Sequence, residues 1–463
     1  MFKIKRLPNG QIDKYKARLC ARGFTQQYGI DYFETFAPVV RMESLRILLT
    51  LAAAWDWEIH QMDVVSAYLL GELEENAFIA APEGLDLPPG KALKLVKGMP
   101  GLKQSGRTWN QKITAFFEDH GLLSLPADHS VFVNKERMLI VALYVDDLLL
   151  FTSTVKEMQP LKQALSKAFE MKDLGEAKFI LGISIVRDRR TKTITIDQEH
   201  YIRDMLKEYG LDKGRMVATP AEGYLNLTTR EAGEEATDIN LYQRILGKLN
   251  WLVRACRPDI AFVVQKLSQF AHNPGAKHLG GAQRLLRYLG CTQGYGIRYT
   301  GSSAQSLCGY ADSDYASDQS RKSTMGYTFI LANGAITWSS KMQRSISTST
   351  TEAEYHALAY AGKEAAWIWS LLQQLTQQPH GPTVLYGDNQ GAIALVGNPE
   401  FHARTKHIDV AAHYIRELAE DQKVKVQYIP TDQMLADCLT KPLKVVQHQQ
   451  LVKGMGLQDW RHK

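Results

Sequence analysis

The stretch LIVALYVDDLLLFTS, Leu139 to Ser153, sets two adjacent carboxylates, Asp146 and Asp147, between two runs of apolar residues. Both runs are rich in β-formers and too short to span a membrane, so they predict a tight β-hairpin with the aspartates at its turn. Two like charges side by side destabilise each other unless a cation lies between them. Paired Mg²⁺ ions held by carboxylates serve in-line phosphoryl displacement, which makes a polymerase-like metal site one reading of the stretch. The other is a surface turn that uses Asp for its turn chemistry. On this stretch alone both readings stand.

A chain of 463 residues exceeds what one hydrophobic core serves, and at roughly 150 residues per domain about three units are expected. The net charge of +6 is a mild basic excess compatible with a phosphate-rich partner. Cys20, Cys256, Cys291, Cys308 and Cys438 form no CxxC pair, which argues against a disulfide framework or a zinc ribbon and for a reducing compartment. His402, His407 and His413 cluster near Asp409 at spacings that match no zinc pattern. No apolar run reaches membrane-spanning length, and FKIKRLPNG at the N-terminus lacks the apolar core of a signal peptide.

Toward the N-terminus, WEIHQMDVV reads as extended, with Asp63 at the end of a strand and Tyr68 five residues on. An Asp there equally suits a helix cap. Residues 43–55 carry Leu45, Leu48, Leu49 and Ala52 at helical spacing and predict a core-facing helix. At the chain start, FKIKRL and QIDKYKARL flank Asn9-Gly10 and predict a hairpin that gathers Lys3, Lys5, Arg6, Lys14, Lys16, Arg18 and Arg22. Such a hairpin could hold triphosphate or template phosphates, or simply solvate an edge.

Helices are expected from Ser105 to Gly121, with Trp109, Ile113, Phe116 and Phe117 buried, and over residues 155–169, followed by a strand FILGISIV. This alternation implies an α+β sheet covered on one face by helices. Residues 194–299 read as mainly helical, with helices near 199–209, 241–255, 259–271 and 281–289 and a polar loop LTTREAGEEATD. Arg284 and Arg287 share a helix face, with Arg298 not far beyond, as suits a duplex-tracking arm or a plain solvated face.

Beyond residue 302 a second acidic set emerges. LCGYADSDYA is a strand ending at Asp312; GYTFIL and AITWSS flank Asn333-Gly334 as a hairpin. Ser349 and Glu352 fit a capping box, which leaves Glu354 free to face inward. TVLYGDN ends a strand at Asp388, KVKVQYI is an alternating strand, and DQMLADCLTK is a terminal helix carrying Asp437. Four acids in this order could converge on two metals, or each could cap its own helix.

KARLCARGFTQQYGIDYFETFAPVVRMESLRILLTLAAAW, QMDVVSAYLLGEL, GLKQSGRTW and LYVDDLL resemble the reverse transcriptase of copia-type long-terminal-repeat retrotransposons. GYADSDYASD, STTEAEYHALAYAGKEAAWI, GDNQGAIALVGNPEFHARTKHIDV and ADCLTKPL resemble the ribonuclease H that follows it in the same polyprotein. The resemblance implies an α+β right-hand polymerase with truncated fingers, a palm (together residues 1–190) and a helical thumb or connection (191–301). An α/β ribonuclease H-like domain with a mixed five-stranded sheet (302–445) and a C-terminal tail (446–463) follow.

Carried over residue by residue, the resemblance makes Asp63, Asp146 and Asp147 the polymerase carboxylates that hold two Mg²⁺ ions, Mn²⁺ being the alternative, and Tyr144 beside them a substrate-binding residue. Tyr68 matches the residue that excludes a 2′-OH, Gln104 the one that contacts the incoming nucleotide, and Lys16, Arg18 or Arg22 its phosphate contacts. Leu181 and Gly182 are similar to the primer-holding turn. Asp312, Glu354, Asp388 and Asp437 match the ribonuclease H carboxylates, with two further metal ions. The implied partners are an RNA template, a DNA primer, their RNA–DNA hybrid and dNTPs, alongside integrase and capsid products of the same polyprotein, with no membrane. The implied place is the cytoplasm, in virus-like particles, or the nucleus.

The chain departs from the family pattern in three places. It starts inside the fingers, Met99-Pro100 replaces a Leu-Tyr pair, and no histidine precedes Asp437. A remnant retaining only ribonuclease H activity, or only nucleic-acid binding, is the alternative these departures raise.

Overall fold

In the computed structural model, Leu139–Tyr144 and Asp147–Thr152 pair as an antiparallel hairpin with Tyr144 opposite Asp147, so Val145 and Asp146 form the turn. The structure describes residues 1–6, 12–134, 139–212, 217–221, 227–231, 233–301, 307–378, 380–397 and 410–461. Asn9-Gly10 and the cluster of His402, His407 and Asp409 lie outside the described residues. The chain divides into two compact units, residues 1–41 with 58–177, and residues 42–57 with 178–463.

The first unit is built on a six-stranded antiparallel sheet in the order Met171–Glu176, Glu58–Val64, Asp147–Thr152, Leu139–Tyr144, Asp128–Asn134, Leu123–Leu125. Side chains alternate across a strand. Met62, Val64, Leu148, Leu150, Val141 and Leu143 therefore pack against Trp109, Ile113 and Phe117 of the helix Ser105–Asp119 and against Met158 and Leu165 of the helix Val155–Ala168. Burying each such side chain contributes about 1.5–3 kcal/mol. The same alternation sends Gln61, Asp63, Tyr144 and Asp147 to the opposite face. Phe2–Arg6 and Ile12–Ala17 pair as the basic hairpin expected at the chain start.

In the second unit, FILGISIV is not one strand. Phe179–Ile180 and Ile183–Asp188 are antiparallel, and Leu181 and Gly182 turn between them with φ of +51° and +79°. Two consecutive positive φ values make the primed turn that matches strand twist. The hairpin joins Thr193–Asp197, Tyr295–Thr300 and Leu457–Asp459 in a five-stranded antiparallel sheet. Residues set apart above as a C-terminal tail thus supply a helix, Val445–Gly454, and an edge strand.

The helices Glu199–Glu208, Ile239–Ala255, Ala261–Ser268 and Ala276–Cys291 share one apolar core. Arg298, grouped by number with Arg284 and Arg287, lies on the strand Tyr295–Thr300 instead.

A second five-stranded sheet follows the order Gly334–Met342, Thr324–Leu331, Cys308–Asp314, Thr383–Gly387, Val424–Tyr428. The first three strands are antiparallel, and the last two join in parallel. Its hairpin turns at Ala332 and Asn333, both at positive φ, one residue earlier than Asn333-Gly334 predicts. Gly334 opens the next strand, where a Cβ would stand 2.5 Å from the Tyr299 ring. Glycine there permits close packing and does not make the turn.

Candidate active sites

The first acidic set follows from register. Asp63 lies directly across from Asp147 on neighbouring strands, a like-charge pairing that is destabilising in itself. Asp146 lies in the turn just before Asp147; its carbonyl accepts from the Val64 amide at 2.9 Å. The Trp109 indole donates to the Val145 carbonyl at 2.7 Å and ties the turn to the helix beneath. Burial pushes Asp146 above the ordinary carboxylate range and Asp63 adds to the rise, while its own turn amide, Arg18 and Lys16 pull it back. Asp147 is raised by burial and by the other two aspartates, and the Gln61 amide, donating to its Oδ1 at 2.9 Å, opposes this.

Tyr68 is half-buried at the short helix Ala67–Leu70, and burial followed by the charge of Asp146 raises its phenol. Asp63, Asp146, Asp147, Tyr68, Tyr144, Lys16 and Arg18 are thus linked by register or by charge. Arg22 lines a cavity of about 500 Å³ with Gln26, Asp31 and Phe78.

Gln104 is turned inward and also borders a cavity of about 460 Å³ with Glu34, Glu75 and Arg107. It is 1% exposed, its amide donates to the Asp31 carbonyl at 2.9 Å and to Glu75 at 3.5 Å, and its oxygen accepts from Gln26 at 3.0 Å. Leu181 and Gly182 form the hairpin turn of the second unit.

The second acidic set is tighter. Among the described residues, Asp312, Glu354 and Asp388 alone bring one carboxylate oxygen each within 4.8 Å of one another. Asp312 lies two residues before the end of the strand Cys308–Asp314, which runs past the end expected from sequence, Glu354 lies in the first turn and a half of Thr350–Thr376, and Asp388 follows Thr383–Gly387. The parallel pairing of Cys308–Asp314 with Thr383–Gly387 brings the two strand ends to one edge.

Helix capping divides the glutamates as expected. Glu352 donates its amide to Ser349 Oγ at 3.1 Å, and its carboxylate takes the Thr348 amide and hydroxyl, each at 2.7 Å. Among the described residues Glu354 accepts from the Ser313 amide alone, at 3.3 Å, and burial beside Asp312 and Asp388 pushes it up to about 10. Asp312 is likewise raised by burial, with Lys441 and the Thr440 hydroxyl, which donates to it, opposing. The Thr431 hydroxyl donates to Asp388 at 2.7 Å.

Asp437 sits on a 3₁₀ turn, Leu435–Leu439, in place of the predicted terminal helix, and is fully buried. Burial and Asp312 push it up to about 7. Apart from Lys441, whose ammonium is 2.9 Å from its Oδ1, its carboxylate oxygens have no partner among the described residues. A buried carboxylate cluster held above its normal range with oxygens unspent fits a divalent cation. Gln61, Thr440 and Lys441 were not singled out from sequence. Gln61 was legible from strand alternation with Asp63, and Lys441 from its spacing of four residues beyond Asp437.

With both sites placed, relatives bear on their meaning. The family model described as reverse transcriptase (RNA-dependent DNA polymerase) matches residues 1–223. The Pol polyprotein of transposon TNT 1-94 from Nicotiana tabacum is 41% identical over 95% of this chain and 34% of its own length. A Ty5-1 transposon protein of Saccharomyces cerevisiae is 33% identical over 64% of this chain and 97% of its own length. Among solved structures, a prototype foamy virus protease–reverse transcriptase is 14% identical over 92% of this chain and 49% of that chain, at a TM-score of 0.22. The chain belongs to the reverse transcriptase family of copia-type transposon Pol polyproteins. It spans about a third of the length of the tobacco polyprotein.

Proposed function

We propose that the chain is an RNA-directed DNA polymerase and a ribonuclease H, performing phosphoryl transfer at two carboxylate sites. The observation that carries this reading is that each acidic set is assembled from separate elements at the end of a sheet: Asp63, Asp146 and Asp147 by cross-strand register, Asp312, Glu354 and Asp388 by convergence within 4.8 Å. Helix caps do not require acids to meet. Residues 1–190 would then be fingers and palm, 191–301 thumb or connection, and 302–445 the nuclease.

In the palm, Asp63, Asp146 and Asp147 would hold Mg²⁺, Lys16 and Arg18 would meet triphosphate oxygens, and Tyr68 would press on the sugar where a 2′-OH would project. In the nuclease site Asp312, Glu354, Asp388 and Asp437 would hold Mg²⁺ and position the RNA strand of a hybrid, recognised by shape, backbone charge and 2′-OH groups. When bound, Mg²⁺ supplies charge neutralisation on the transferring phosphoryl oxygens and lowers the pKa of the attacking hydroxyl or water.

Asp146→Asn should lower primer extension on an RNA template by at least about a hundredfold while hybrid cleavage persists, and Asp312→Asn the reverse. Extension that survives Asp146→Asn overturns the polymerase assignment. A second reading, in which only the cleavage site works, is favoured by the inward turn of Gln104 and by the exposure of Phe24, Tyr28, Phe33 and Phe36 in the first unit. Hybrid cleavage without any nucleotide incorporation selects it.

A further inference from the structure

The second acidic set is not uniform. Three of its members, Asp312, Glu354 and Asp388, face one another, and among the described residues the cation paired nearest to them is Lys441, whose Nζ is 4.0 Å from Asp312 Oδ2. The fourth, Asp437, is closed by that same ammonium at 2.9 Å. The preceding residue, Thr440, is fully buried and donates its hydroxyl to Asp312. The dipeptide Thr440-Lys441 therefore clamps two of the four carboxylates, one by a hydroxyl and one by a charge. The Lys441 side chain keeps 30% exposure, so it has a way out toward solvent.

Resting on the reading of this set as a metal site, we propose that Lys441 is a positioning residue that stands in for a second cation between Asp437 and Asp312. The geometry divides the set into a three-carboxylate pocket open to one divalent ion and a fourth carboxylate that a second ion reaches only by displacing the lysine. A monovalent charge fixed to the chain holds Asp437 in place at 2.9 Å whether or not the second ion is present. Loading of the second ion then depends on competition with a side chain that has a long, flexible stem and a solvent exit. The same competition returns Asp437 to Lys441 when the ion leaves, which makes the site fill in two unequal steps.

The test is Mn²⁺ binding to the full chain, counted by calorimetry and by the electron paramagnetic resonance of free Mn²⁺. An Asp146→Asn, Asp147→Asn background removes the palm's uptake from the count. The background protein should bind one ion and then a second more weakly. Lys441→Met should tighten the second step by at least about tenfold, the order expected when a unit charge a few ångströms away is removed. Lys441→Arg should keep the two steps apart, and circular dichroism melts establish that each variant is folded. Identical isotherms for Lys441 and Lys441→Met overturn the proposal, as does a folded Lys441→Met that binds fewer ions. If no variant takes up Mn²⁺ in a manner lost with Asp312→Asn, the metal reading of the site itself fails and the proposal with it.

Discussion

Val145 adopts a φ of +57°, a left-handed conformation that costs a residue with a Cβ about 1–2 kcal/mol and a β-branched one no less. The strain is held by the Trp109 indole on the Val145 carbonyl and by the Val64 amide on the Asp146 carbonyl. It fixes which way Asp146 points. Val145→Gly should therefore raise the melting temperature, by about 1 kcal/mol of stability, while lowering primer extension because the aspartate gains freedom. Thermal melts and extension rates on one preparation check both halves.

The acids of the second set carry a pH signature. Asp437 is pushed up to about 7 and Glu354 to about 10, both above unfolded values of about 4. An acid raised by folding binds more protons folded than unfolded, so stability falls as pH rises through that window. In EDTA the chain should lose stability from about pH 4 to pH 7 through Asp437 and onward to about pH 10 through Glu354. Carboxylates must deprotonate to take a cation, so Mg²⁺ should restore more stability at about pH 8 than at about pH 5. Equal Mg²⁺ effects at the two pH values would contradict this.

At the scale of elements, the helix Met42–Trp55 illustrates what periodicity conveys. Leu45, Leu48, Leu49 and Ala52 are buried as their spacing predicts. Arg46, between them, is 3% exposed as well. Its guanidinium donates to the carbonyls of Ile336, Arg254 and Ala255 and lies 4.0 Å from the Trp338 ring centre. Those acceptors lie some 200 to 290 residues away in the chain, and nothing local announces them. Arg46→Met should cost at least about 3 kcal/mol, because a charged donor is withdrawn from buried carbonyls. Urea unfolding of the two proteins measures it.

The aspartate hairpin, by contrast, was legible outright, since both its strands and its turn are encoded within fifteen residues. FILGISIV was legible only in part. Its apolar run hides a turn because Leu181, with φ +51°, is not a residue whose type announces positive φ.

At the scale of the whole molecule, the last strand decides how the second unit is closed. Leu457–Asp459 pairs with Tyr295–Thr300, Leu457 is 1% exposed, and Arg461 pairs with Glu199 at 3.0 Å. Ending the chain after residue 455 should cost at least about 2 kcal/mol from Leu457 alone and speed amide exchange in Tyr295–Thr300. Exchange rates measured by mass spectrometry on the shortened and full chains check it.

Local pattern was sufficient for the strands that carry Asp63 and Asp312, though these end at Val64 and Asp314, for the capped helix that frees Glu354, and for the Asp146–Asp147 turn, because alternation, caps and turns act over a few residues. It did not reach the hydrogen bonds of Gln104 to Asp31, Gln26 and Glu75, which come from three separate segments. Nor did it reach Lys441, whose charge has meaning only once Asp312 and Asp437 stand on either side of it. The sequence by itself determined which carboxylates exist and on which elements they ride. Tertiary structure decided which of them meet and which polar groups are already spoken for, because burial and hydrogen bonding depend on neighbours that arrive from hundreds of residues away.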